Sequence, residues 1–359
     1  MNFAAKRLIP ALCLCLLLTN CNIGPPTEGE LDLVAASKSQ AIVGGAPDTT
    51  SNNVVGILVR RQNDLAGCTG SLIAPNLVLT ALHCVAAVEN PDASPCDKVF
   101  RPLEPKSFAI TLSPTGIRDG RDNDPLPPID NVQWFAATQI LVFSNNECGG
   151  DLALIRLATN ITSVCPLVPR INKPAVEPEK YTAVGYGCRG PDDPSSGVRY
   201  ANDSLSVLCD GKCTEDYNTK YPGQLKPVLE WIGGDLTPGN GICQGDSGGP
   251  ALDEQRLIIG VASRASAAGN VAFYEDVAAN GAWLKEKALL AATAGGYEAH
   301  PWAKGGSTDV TTCSLPLPPS SAGPSATPEL EKKCECSTGP AGAVWLLVAA
   351  AWKRRRTQA

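Results

Sequence analysis

Between Ile42 and about Ala292 the chain is a series of short apolar runs, each closed by Gly, Pro, Asn or Asp. The runs Val54–Val59, Leu77–Ala81, Ile140–Phe143, Leu152–Leu157, Tyr181–Val184 and Leu257–Ala262 are too short for helices and rich in residues that favour strands. Short strands separated by regular turn signals predict an all-β barrel or sandwich. One stretch has helical spacing instead. From Val277 to Leu290, the residues Val277, Trp283, Leu284 and Ala288 can share a face. No alternation of helix with strand is visible, and no internal repeat.

The ends read differently. Lys6 and Arg7 precede an apolar run, Leu8–Leu18, that is short of the roughly 20 residues of a membrane span. Residues 1–21 therefore read as a signal peptide. Cys21 resembles a lipoprotein cleavage box, although Asn20 occupies a place where a small residue is usual; ordinary cleavage nearby is the alternative. Residues 22–41 are polar, with Pro25, Pro26 and Gly29, and read as a propeptide. Residues 42–292 form the expected globular domain, 293–333 a Pro/Ser/Gly-rich linker, and 334–359 a tail. The tail carries Cys334-Glu335-Cys336, an apolar run Ala341–Trp352 and the cluster Lys353–Arg356.

Composition narrows the function. Among 359 residues 43% are hydrophobic, enough for a large core. A net charge of -6 argues against a nucleic-acid partner, which needs a basic surface to neutralise phosphates. Fifteen cysteines are many for a reducing compartment and point to export.

The chain has 2 histidines, His83 and His300, so a histidine mechanism has few choices. His83 ends the apolar run Leu79-Thr80-Ala81-Leu82-His83-Cys84. Asp151 leads the apolar run Leu152–Leu157, where a buried acid needs a partner. Ser247 sits in Gly245-Asp246-Ser247-Gly248-Gly249-Pro250, where the glycines allow a tight turn. A serine hydroxyl is a weak nucleophile until a base takes its proton, and that base needs an orienting acid. Asp151, His83 and Ser247 supply these three roles, and the N–H groups of Gly245 and Ser247 can bind the developing oxyanion. Gly245–Gly249 also fits the G-x-S-x-G elbow of α/β-hydrolases, but that fold places its histidine after its serine. His300, the one histidine there, lies beyond the last helical pattern and reads as a solvated surface residue.

Four ordered segments now carry a resemblance: Ile42-Val43-Gly44-Gly45, Thr80-Ala81-Leu82-His83-Cys84, Asp151-Leu152-Ala153-Leu154 and Gly245–Pro250. Residues 42 to about 287 resemble the trypsin/chymotrypsin family of serine peptidases. Leu82 departs from the Ala usual there. The resemblance implies an all-β fold of two six-stranded antiparallel barrels packed together with a C-terminal helix, and hydrolysis of protein or peptide substrates without a cofactor. It implies activation by cleavage before Ile42, whose new ammonium group pairs with Asp246. It also implies a disulfide between Cys68 and Cys84; other pairings stay open.

By the same resemblance the specificity pocket falls on Gly241, Ile242, Ala265, Ala272 and Tyr274, with Ser263 and Arg264 on the strand that binds substrate backbone. Arg264 replaces the family's usual Trp. None of the floor residues is acidic, so an elastase-like preference for small apolar side chains is expected. Ala41, before the activation site, suits such a pocket. No metal site is expected: the cysteine spacings lack paired C-x-x-C sets, and the acidic stretch Asp119–Asp130 is broken by prolines. The tail resembles the C-terminal sorting tails of myxobacterial exported proteins. That resemblance implies a sorting protease as a partner, contact with the membrane only through the termini, and a place at or beyond the surface of a bacterial cell.

Overall fold

The computed structural model describes residues 42, 44–61, 65–93, 97–115, 117, 132–187, 197–210, 229–235, 241–265 and 270–306. The chain divides into two units, Met1–Leu315 and Pro316–Ala359, and the described residues all belong to the first. The expected signal peptide, propeptide, acidic stretch and sorting tail lie outside the described residues.

Strand β1 is Ala46–Pro47. The first barrel follows, from β2 (Val54–Arg60), β3 (Leu65–Ala74) and β4 (Leu77–Thr80). A one-turn helix α1 (Leu82–Val85) and a small hairpin, β5 (Ala86–Val88) with β6 (Phe100–Pro102), come next. Strands β7 (Phe108–Thr111), β8 (Phe135–Val142) and β9 (Ala153–Leu157) complete this barrel, which closes in the order β2-β3-β4-β9-β8-β7.

The second barrel uses β10 (Lys180–Gly185), β11 (Tyr200–Cys209), β12 (Glu230–Gly234), β13 (Pro250–Leu252), β14 (Ile258–Ala265) and β15 (Val271–Asp276). Its order is β11-β10-β13-β14-β15-β12, closed by pairing of β11 with β12, and β1 adds to the outer edge of β11. Each named strand pair in both barrels is antiparallel. Closure leaves few open edges, the usual solution for all-β chains.

The strands bury both faces because the barrels pack together. Along β4 and β9, Val78 and Ile155 point into the first barrel, with Ile57, Leu72 and Ile110. Their neighbours Leu79 and Leu154 point the other way, into a core shared with Val184, Tyr186, Leu252 and Val261 of the second half. A period of two thus serves two cores. A third cluster, Tyr181, Leu205, Trp231, Ile259 and Tyr274, fills the second barrel.

The two-barrel expectation holds, but several elements differ in extent. Strand β8 starts at Phe135 rather than Ile140. Strands β3 and β12 carry glycines that hide their periodicity, yet the glycines are needed. A Cβ at Gly70 would lie 2.7 Å from Val78 Cγ1, and one at Gly233 would lie 2.4 Å from the Tyr181 hydroxyl. The helix α2 spans Gly281–Gly295, so Val277 precedes it. Leu284 and Ala288 are buried as expected, with Ala291 and Ala292, whereas Trp283 is half-buried and packs edge-on to Phe143.

The linker expected from residue 293 is corrected. Helix α2 runs past that point and ends on Gly296 in the left-handed conformation. A 3₁₀ turn, Pro301–Lys304, then folds back and puts Trp302, 0% exposed, into the shared core. Apolar burial of this size outweighs the Pro and Gly signals of the stretch. His300 is half-buried rather than solvated, and its ring nitrogen accepts from the Trp302 N–H at 3.5 Å.

Candidate active site

The three residues singled out by sequence come from three places. His83 stands on α1, directly after β4. The chain leaves the barrel there because Thr80 ends the ladder at its pairing with Ala153 of β9. Asp151 lies at the start of the facing strand, two residues before Ala153, and is 0% exposed. Ser247 sits in the turn that leads into β13 of the other barrel.

Asp151 holds His83 at two points. The His83 backbone N–H donates to Asp151 Oδ1 at 2.9 Å, and His83 Nδ1 lies 2.7 Å from Oδ2. Ser263 on β14 donates its hydroxyl to the same Oδ2 at 2.6 Å. Three donors thus converge on one buried carboxylate, and that compensates its burial. Beneath it, the Asp151 N–H donates to Glu275 Oε1 at 3.0 Å.

Cys84 touches both His83 and the serine turn. Cys84 Sγ lies 4.0 Å from His83 Nε2 and 3.4 Å from the Ser247 carbonyl oxygen. The Cys68–Cys84 disulfide ties α1 to β3. Closing a loop of 16 residues contributes about 3 kcal/mol in the chain-entropy picture. Cys148, Cys165 and Cys209 are also disulfide-bonded.

The serine turn is held from both barrels. Asp246 accepts from the N–H groups of Gly187 at 2.8 Å and Cys243 at 2.9 Å, and its own N–H donates to the Cys243 carbonyl at 2.9 Å. Gly245 has φ +101 and Gly248 φ +81, both in the region that favours glycine. A Cβ at Gly248 would lie 2.1 Å from Thr80 Oγ1 and 2.4 Å from the Thr69 carbonyl oxygen, so glycine permits the approach to the first barrel. Ile42 is 2% exposed and belongs to the core of the second barrel, with Tyr181, Ala183 and Tyr200.

Charge tunes the pair. Burial opposes the imidazolium of His83, but the Asp151 carboxylate and its hydrogen bond outweigh it, and the pKa is raised. Burial pushes Asp151 up, while His83 and the converging donors hold it below the ordinary value. Glu147 is raised by burial and by the nearby Asp151. Glu275 is pushed well above the usual range by burial, Glu230 and Asp151.

His83, Glu147 and Asp151 each bring a ligand-type atom within 4.8 Å of the others. Both oxygens of Asp151 are already engaged, and the imidazole is engaged at Nδ1. His83, Asp151 and Ser263 form one hydrogen-bonded chain.

The expected pocket residues separate into two groups. Ile242, Ala272 and Tyr274 pack in one cluster with Trp231, and Ala265 packs against it. Gly241 is buried next to Ile242. Ser263 spends its hydroxyl on Asp151. Arg264 is 9% exposed and turns inward: it pairs with Glu230 at 2.6 Å and lies over the Phe273 ring at 5.0 Å. Its guanidinium is therefore occupied within the protein. Sequence reading missed Glu147, Glu230, Glu275 and Thr69. The only trace of the acids is their place beside short apolar runs; Thr69 adjoins Cys68.

The family model described as Trypsin matches residues 42–107 and 123–284. Brachyurin of Leptuca pugilator is 27% identical over 219 residues, covering 60% of this chain and 82% of its own. Snake venom serine protease 2C of Craspedocephalus gramineus is 24% identical over 266 residues, covering 70% and 88%. Among solved structures, one described as "Structure of GrC" superposes with a TM-score of 0.51 at 20% identity, covering 68% of this chain and 98% of that one.

Proposed function

The chain belongs to the trypsin family and is a serine-type endopeptidase, and from that premise we propose that His83, Asp151 and Ser247 are its catalytic triad. The observation that carries this reading is the doubly held His83, with its backbone N–H and Nδ1 both on Asp151, next to Cys84, which touches the Ser247 carbonyl. Asp151 fixes the tautomer in which Nε2 is free to accept a proton. His83 takes the Ser247 proton as Oγ attacks the substrate carbonyl. The N–H groups of Gly245 and Ser247 receive the oxyanion, and His83 then returns the proton to the leaving amine. Water repeats the sequence on the acyl-enzyme.

The same triad sets a pH dependence. Catalysis needs neutral His83, so kcat/KM falls as pH drops through its pKa. Burial and, less, Arg61 lower that pKa, Asp151 and Glu147 raise it, and the net is a rise from 6.5. The acid limb of kcat/KM should therefore have its midpoint above 6.5. Glu147→Gln should move the midpoint down, because it removes an anion that favours the imidazolium. An acid limb unmoved by this variant counts against the assignment.

Activation is proposed to follow cleavage between Ala41 and Ile42. The burial of Ile42 beside the second-barrel core, and the buried carboxylate of Asp246 under the serine turn, support it. An ammonium group at Ile42 would pair with Asp246 and hold the turn. The protease domain is proposed to begin at Ile42, after a signal peptide and propeptide, in an exported protein whose tail is a sorting signal.

The pocket residues Gly241, Ile242, Ala265, Ala272 and Tyr274 favour a small apolar side chain before the scissile bond. Gly241 forms the floor with Ile242 beside it, and neither brings a carboxylate for Arg or Lys. A peptide library treated with the Ile42-started protein should be cut mainly after Ala, Val or similar residues. Discrimination is modest, since each methylene changes the barrier by about 1–3 kcal/mol. Strong cleavage after Arg or Lys would overturn this pocket assignment.

A further inference from the structure

Thr69 reaches across from the first barrel into the serine turn of the second, and its chemistry there has a consequence. Thr69 lies on β3 and is 0% exposed. Its Oγ1 donates to the Gly245 carbonyl at 2.7 Å and accepts from the Tyr186 N–H at 3.0 Å. Its backbone N–H donates to the Ser247 carbonyl at 2.9 Å. Its own carbonyl accepts from Thr80 Oγ1 at 2.8 Å, three residues before His83.

A hydroxyl has one hydrogen to give. The Tyr186 N–H occupies a lone pair of Oγ1, so the hydrogen must point at Gly245. The Gly245–Asp246 peptide that it fixes lies between the two peptides whose N–H groups belong to Gly245 and Ser247. Gly245, at φ +101, has no side chain to limit its own torsions. An oxyanion hole works only when its donors are already aimed. Within the turn the Asp246 N–H holds that peptide to the Cys243 carbonyl, and Thr69 adds a restraint from the other barrel on both sides of Asp246.

We propose that Thr69 is a positioning residue for the oxyanion turn, locking the Gly245 and Ser247 donors to the barrel that carries His83. The inference rests on the assignment of those donors above. Thr69 touches no substrate; it acts through Gly245 and Ser247.

The test compares Thr69→Val, which keeps the shape and loses the hydroxyl, with Thr69→Ser, which keeps the hydroxyl. Both are made in the Ile42-started protein. Thr69→Val should lower kcat by about 10- to 100-fold, less than the 10²–10³ for deleting a donor outright. KM for the same peptide should change less than about threefold, because ground-state binding is untouched. Inhibition by a peptide aldehyde, whose adduct bears an oxyanion, should weaken in step with kcat. Thr69→Ser should recover most of the loss.

A second measurement does not depend on activity. Amide hydrogen exchange in the segment 243–249 should accelerate in Thr69→Val and return toward the parent rate in Thr69→Ser. Exchange in β2 and β9 should stay unchanged. If Thr69→Val does not fold, Thr69→Ala takes its place with the same expected order.

The proposal is overturned if the hydroxyl-free variant keeps the parent kcat and exchange. It is equally overturned if Thr69→Ser loses as much as Thr69→Val, or if exchange rises throughout both barrels. Should the parent protein fail to react with a serine-directed probe, the triad assignment fails. The exchange comparison then still decides whether Thr69 holds the turn.

Discussion

Ser247→Ala in the Ile42-started protein will lower peptide turnover by about 10⁶-fold and leave the fold in place. A loss of that size is about 8 kcal/mol of barrier. The size follows from what the variant removes and what it leaves. The nucleophile is gone, and with it the acyl-enzyme route. The backbone contacts of the turn survive, since Thr69 N–H to the Ser247 carbonyl and Gly248 N–H to the Ala262 carbonyl involve no side-chain atom of Ser247. The aimed N–H groups remain, so slow hydrolysis about 10³–10⁴ above the uncatalysed rate is expected. Thermal unfolding should move little, because a partly exposed hydroxyl is lost without creating a large cavity.

The same variant decides who performs activation. Made as the full chain in a foreign host, Ser247→Ala should accumulate uncut if the protease processes itself, while the parent chain begins at Ile42. N-terminal sequencing reads the outcome. A Ser247→Ala product that still begins at Ile42 would assign the cut to another protease. The agreement between Ala41 and the proposed pocket for small apolar residues favours self-processing.

Local signals were legible and long-range ones were not. The order His83, Asp151, Ser247 by itself excludes the α/β-hydrolase fold, because the acid and base precede the nucleophile. The apolar runs of β2, β4, β9 and β10 could be read directly, since their side chains alternate between two buried faces. Strand β3 could not. Gly67 and Gly70 interrupt its pattern, and the reason for Gly70 is the nearness of Val78, a tertiary fact. The supports of the site are hidden for the same reason. Glu275 meets Asp151 across 124 residues, and Thr69 meets Gly245 across 176. Arg264 shows what position alone leaves out. The strand it occupies is the expected substrate strand, but Glu230 and Phe273 draw its guanidinium inward, and neither is its neighbour in sequence.

Asp151→Asn should lower kcat by about 10⁴-fold at neutral pH, about 5 kcal/mol of barrier, while protein stability changes far less. The carboxylate accepts from His83 N–H, His83 Nδ1 and Ser263 Oγ, with two of these on Oδ2. An asparagine offers one oxygen and one NH₂ group in the same space. If the NH₂ faces the His83 backbone, two donors meet head-on in a buried site, at a cost of about 1–3 kcal/mol. If it faces the ring, Nδ1 must become the acceptor and the ring proton moves to Nε2. The second arrangement is the cheaper one, because Ser263 can rotate its hydroxyl to accept from the same NH₂. It is also the inactive one, because Nε2 then presents a proton to Ser247 instead of a lone pair. The loss should appear in kcat with KM little changed, as Asp151 contacts no substrate. Removal of the carboxylate also removes the main force raising the His83 pKa, so the acid limb of the residual activity should shift to lower pH. A variant that keeps more than a tenth of the parent kcat, or whose acid limb stays in place, would show that Asp151 neither sets the tautomer of His83 nor stabilises its charge.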